Sequence, residues 1–104
     1  MRDYIYISDV TDAIAKAITY EGSEKIFNIG SGIGRSLNKI LTEIEKLLGY
    51  NVVRHYSTNR IFDVKSNVLD ISKATEYLHW SPKISLQEGL SNTLSWIKDP
   101  HFEN

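Results

Sequence analysis

Cysteine is absent from the 104 residues, which excludes disulfide frameworks, thiol catalysis and zinc sites built on thiolates, and fits a reducing compartment without requiring one. A dominant charge sign is missing as well. With 12 Lys+Arg against 13 Asp+Glu the net charge is -1, so nothing draws the chain toward nucleic acid or an anionic membrane, and any anion site must be local. Apolar runs fall far short of a membrane span, and the opening MRDYIYISDV has neither the apolar stretch nor the small-residue cleavage site of a secretion signal. A cytoplasmic location is the expectation. A chain of this length is expected to fold as one domain that buries roughly two thirds of its unfolded surface.

What is present is periodic. Tyr4 to Ile7 is β-prone, and Asp9 is expected to start a helix with apolar residues Val10, Ala13, Ile14, Ala17 and Ile18 at 3.6-residue spacing. Gly22 ends it, and Lys25 to Ile29 reads as a strand. Ser36 is the expected N-cap of a second helix with the stripe Leu37, Ile40, Leu41, Ile44, Leu47 and Leu48, and Gly49 its stop. Val52 to Tyr56 suggests a further strand, Ser57 to Val68 keeps neither period, and Ser72 to Leu78 reads as a short helix. Ser85 and Glu88 form a capping box for a last helix with the inner face Leu86, Leu90, Leu94 and Ile97, closed by Pro100. The expected fold is a small mixed α/β lobe of about four helices and two or three short strands.

Gly30, Gly32 and Gly34 lie between an expected strand and a helix, where a dinucleotide-binding turn would lie. The spacing is wrong: Arg35 stands where a G-x-G-x-x-G fingerprint needs its third glycine. The acid expected about 20 positions on is missing too, since Asn51 to Asn59 contains none. Gly34-Arg35-Ser36 only imitates the end of a Walker A loop, with no glycine correctly placed upstream. The turn therefore reads as structural, lining at most a site built elsewhere.

Catalytic machinery is not apparent. His55, His79 and His101 lack partners at metal-ligand spacing, there is no Gly-x-Ser-x-Gly elbow, and none of the six tyrosines has a lysine four residues later. Polar residues stand where packing would not choose them: Arg2-Asp3, and Arg60 with Asp63 in the aperiodic stretch. An arginine fork engages phosphate oxygens bidentately and a carboxylate accepts hydrogen bonds from ribose hydroxyls, so these groups suit a nucleotide diphosphate. An exposed ion pair worth under about 1 kcal/mol is the plainer reading of Arg60 and Asp63.

Six segments occur in order: Arg2 to Val10, Phe27-Asn28-Ile29-Gly30-Ser31-Gly32, Arg60-x-x-Asp63-Val64, Asp70 to Ala74, Leu78-His79-Trp80-Ser81-Pro82 and Leu86-x-Glu88-Gly89-Leu90. In this order and spacing they resemble the C-terminal part of the NAD-dependent epimerase/dehydratase family, the extended short-chain dehydrogenase/reductases typified by UDP-glucose 4-epimerase. The resemblance spans nearly the whole chain. It implies a substrate lobe, residues 1–104, separated from the Rossmann domain that carries NAD and the Tyr-x-x-x-Lys pair. Neither a catalytic nor a cofactor-binding residue is then expected here, and the chain alone should not turn over.

Carried over by position, the resemblance makes Arg2 and Arg60 the diphosphate contacts and Asp63 the ribose contact. It makes Asp3 and Asp9 capping and packing residues and Trp80 core. Asn67 stands where some epimerases place a substrate-contacting tyrosine. The implied partners are a nucleotide diphosphate sugar and the missing Rossmann domain, and the face left open by that domain's absence should be apolar and favour self-association. Two other readings remain: a free-standing interaction module that kept the fold without catalysis, and a small NAD-binding protein using the glycine turn despite its spacing.

Overall fold

The computed structural model describes residues 1–55 and 66–99. Strand β1 (Arg2–Asp3) leads to helix α1 (Ile7–Ile18), strand β2 (Gly34–Arg35) to α2 (Leu37–Leu48), and the short α3 (Ser72–Tyr77) precedes α4 (Leu86–Lys98). The strands pair antiparallel, Arg2 opposite Arg35 and Asp3 opposite Gly34, and Asn67 adds an isolated parallel bridge to Arg2. Four helices and a two-stranded ribbon make the small mixed α/β lobe that the periodicity predicts.

Helix ends follow local chemistry. Ser36 Oγ accepts the Lys39 N–H at 3.1 Å and Ser85 Oγ the Glu88 N–H at 3.1 Å, each satisfying a first-turn donor that has no partner within the helix. Gly49 closes α2 at φ 80°, its N–H returning to the Glu45 carbonyl at 2.9 Å, a left-handed stop that suits glycine. After α3 it is His79 that turns left-handed, φ 53°. This reversal returns the Trp80 N–H to the Ala74 carbonyl at 3.3 Å and sends the indole inward.

Trp80 is fully buried and centres the core with Ala13, Ala74 and Leu78. Ile5, Tyr20, Phe27, Ile29 and Ile71 pack around it, Tyr20 and Phe27 edge-to-face at 5.2 Å, a favoured geometry for an aromatic pair. The indole N–H donates to the Asp9 carbonyl at 2.9 Å. The Asp9 carboxylate, buried, accepts the N–H groups of Lys83 at 3.0 Å and Ile84 at 3.1 Å. One residue of α1 thus fixes both the tryptophan and the segment that starts α4.

Tyr4 to Ile7 is not a strand: pairing falls two residues earlier, opposite Gly34–Arg35, and Ile7 already opens α1. Asp9 lies inside the first turn of α1, and its carboxylate serves the distant residues 83 and 84. Lys25 to Ile29 forms no ladder among the described residues, although Phe27 and Ile29 turn toward the core while Ile26 is exposed. Val52 to His55 is held by side chains of α2 instead of a sheet: Glu45 accepts the Val52 N–H at 2.9 Å and pairs with Arg54 at 2.5 Å. Tyr56 lies outside the described residues. The α1 stripe is also divided, with Ala13 buried and Val10 half-buried but Ile14, Ala17 and Ile18 exposed.

Candidate functional site

The site is organised by Asp3. Its Oδ1 accepts the Ser31 N–H and the Ser31 hydroxyl, each at 2.7 Å, and its Oδ2 the N–H groups of Gly32 at 2.9 Å and Leu69 at 3.3 Å. Partial burial pushes the carboxyl up, but the bonds from Ser31, Gly32 and Leu69 outweigh it and hold Asp3 below the usual carboxylate range. The turn has the shape its glycines allow. Gly32 sits at φ 74°, and a Cβ on Gly30 would lie 2.7 Å from Asp3 Oδ2, so a side chain there would displace the carboxylate.

The Ser31 and Gly32 N–H groups, which could cradle a pyrophosphate at this turn, are bonded to the Asp3 carboxylate, and the Ile33 N–H to the Ser31 hydroxyl oxygen. So engaged, residues 31–33 offer a dinucleotide few free donors.

Arg2, beside Asp3 on β1, points to the other face of the ribbon because strand side chains alternate. It is half-buried and stands opposite Arg35, also half-buried. Asn67 is brought next to Arg2, its N–H donating to the Met1 carbonyl at 2.9 Å. A cavity of about 400 Å³ opens between the ribbon and the start of α4, lined by Tyr4, Tyr6, Ile33, Arg35, Lys83 and Leu90 among others.

Of the three residues singled out for a nucleotide diphosphate, Arg2 is in this region, while Arg60 and Asp63 lie outside the described residues. Arg35 is a feature the sequence reading missed. The sequence presents it as the misfit of a dinucleotide fingerprint and of a Walker-like end, because its relation to Arg2 depends on strand register. His55 and His79 are exposed and apart in sequence, and among the described residues no group of three His, Cys, Asp or Glu could hold a metal ion. No described helix is long and apolar enough to cross a membrane.

Such a lobe, a short ribbon and four helices with an arginine-lined cavity, has clear relatives among enzymes of nucleotide sugars. The UDP-glucuronate 4-epimerase of Thermodesulfobacterium geofontis is 40% identical over 102 residues, covering 94% of this chain and 30% of its own length. The UDP-glucose 4-epimerase of Thermotoga maritima, solved with UDP-glucose, superposes with a TM-score of 0.85 at 38% identity, over 92% of this chain and 31% of that one. The UDP-glucuronic acid 4-epimerase of Bacillus cereus, solved with NAD, gives 0.74 at 28% identity, over 99% and 31%. No family model matches. The chain spans about a third of the length of these relatives. In sequence and fold it matches the C-terminal lobe of NAD-dependent sugar epimerases.

Proposed function

We propose that residues 1–104 form a nucleotide-sugar-binding domain of an NAD-dependent sugar epimerase or dehydratase, most like a UDP-glucose 4-epimerase. Arg2 and Arg60 hold the diphosphate and Asp63 the ribose hydroxyls. The observation that carries this reading is the half-buried Arg2, without a carboxylate partner among the described residues, in a chain 38% identical to an epimerase solved with UDP-glucose. Asn67 adds support. It stands four residues after Asp63 and bridges to Arg2, and four residues reach at most about 14 Å, so both groups can serve one ligand.

NAD would supply the hydride acceptor in a full-length relative, but residues 31–33 offer it few free donors. The residues of this chain bind and orient the nucleotide end of the substrate and leave the sugar to a domain carrying the chemistry. Exposed Ile7, Ile14 and Ile18, at 65%, 55% and 78% on one stripe of α1 with the spacing of a single helix face, support a contact with such a domain. An isolated lobe supplies only part of a pocket, so affinity is expected near millimolar, on the order of 4 kcal/mol. Titration calorimetry with UDP, GDP and dTDP tests this. Heat that disappears in Arg60→Gln supports the reading, and the absence of any heat dependent on Arg60 overturns it.

A further inference from the structure

Arg2 and Arg35 are directly opposed in the ribbon. Opposed residues of an antiparallel pair share one face with Cβ atoms about 5 Å apart, and like charges there repel each other. Four described acids are engaged elsewhere. Asp3 bonds Ser31, Gly32 and Leu69 on the far face, Asp9 bonds Lys83 and Ile84, Glu43 pairs with Lys39 and Lys46, and Glu45 with Arg54. Among the described residues no carboxylate pairs with either guanidinium. Arg35 also lines the 400 Å³ cavity, with Lys83 as a second cation on its wall and Tyr4 and Tyr6 beside it. By register Arg2 and Arg35 share one face of the ribbon, and Lys83 lies on the wall of the cavity that Arg35 lines, so positive charge gathers locally in a chain whose net charge is -1.

We propose that Arg2 and Arg35 form a two-guanidinium clamp for a diphosphate, Arg35 reaching it from the β2 side. This rests on the nucleotide-sugar reading and extends it with a binding residue. A bound diphosphate places negative charge between the opposed cations and turns their repulsion into attraction, and each fork can engage phosphate oxygens bidentately. The clamp couples ligand binding to the register of the ribbon, since a one-residue slip would put Arg35 on the opposite face.

The test uses the 104-residue chain with pyrophosphate, UDP and uridine, read by titration calorimetry and thermal denaturation. Arg35→Gln should raise the ligand-free melting temperature by about 2–4 °C, because a repulsion is removed. It should weaken both pyrophosphate and UDP about tenfold and leave uridine unchanged. Arg35→Lys, which keeps the charge but loses the fork, should weaken both by less. UDP binding that falls in Arg2→Gln but is unchanged in Arg35→Gln overturns the clamp and leaves the nucleotide-sugar reading standing. Pyrophosphate that binds through both arginines while UDP binds no better supports the clamp and counts against that reading. No binding of either ligand overturns both. If Arg35→Gln does not fold, Arg35→Lys decides, and unchanged pyrophosphate affinity there overturns the clamp.

Discussion

Replacing Asp3 by alanine removes the acceptor of four hydrogen bonds, from the Ser31 N–H, the Ser31 hydroxyl and the N–H groups of Gly32 and Leu69. A hydrogen bond to a charged group contributes about 1.5–3 kcal/mol, but these four share one partly exposed carboxylate and do not add. Ser31 Oγ still accepts the Ile33 N–H at 3.1 Å, and its one hydroxyl proton, released from Asp3, can turn to the Ile33 carbonyl at 3.2 Å, so the turn is not wholly undone. A loss of about 3 kcal/mol is expected for Asp3→Ala, a large share of the about 5–15 kcal/mol that stabilises a domain. It should lower the melting temperature by about 12–24 °C. Asp3→Asn should recover little, because its amide nitrogen faces donors where an acceptor is needed. Urea denaturation followed by circular dichroism provides the assay, and the midpoint should fall at unchanged slope. Losses under about 0.5 kcal/mol in both variants, the size typical of an unremarkable surface site, would refute the assignment of Asp3 as organiser of the turn.

Stability should decline in acid. Asp3, Glu43, Glu45 and Asp70 are all held below their ordinary values by hydrogen bonds or cations that outweigh desolvation. A depressed folded value contributes stability that is complete above the unfolded value, about 4, and is lost as pH falls through the folded one, so denaturation midpoints should be flat from pH 7 to about 5 and drop below about 4. Asp9→Ala should cost about 2–4 kcal/mol, because it frees the Lys83 and Ile84 N–H groups beside the core, and a loss as small as that of a surface change would contradict its bridging role. Gly89→Leu should destabilise the α4 contact, since even a Cβ there lies 3.1 Å from the Tyr6 ring, and an unchanged melting temperature would show that the ring can move aside. Ile14→Glu with Ile18→Glu should reduce any concentration-dependent self-association seen by sedimentation, because both side chains are exposed on α1; unchanged association would place the contact elsewhere.

The helices were legible in the sequence because their signals are local. Ser36, Gly49 and Ser85 act within a few residues of where they stand, whereas the apolar stripes place the helices without fixing their buried faces, since Leu37, Leu47 and Ile97 are exposed. Strands were misplaced because a two-residue ribbon leaves almost no periodic trace: Arg2–Asp3 and Gly34–Arg35 are defined by their pairing across more than thirty residues. The resemblance makes Asp3 and Asp9 capping and packing residues. Their partners, at 31, 32 and 69 and at 83 and 84, are settled only by the tertiary fold. The α1 stripe misled for a related reason, since a helix whose apolar surface wraps wide can bury one edge, here Ala13, and leave Ile14 and Ile18 outside. Arg2 could be singled out from its odd position beside an apolar run, whereas Arg35 gains meaning only from the residue opposite.

Amide chemical-shift mapping of the isotope-labelled chain during titration with UDP tests the proposed location of the nucleotide most directly. The expected result is a saturable set of shifts at residues 2–4, 31–35, 60–63 and 67, with the exposed face of α1 and the α3 helix unchanged. Shifts confined to α1, α3 or the 79–80 turn, or none at concentrations up to about ten times the expected millimolar constant, would contradict it.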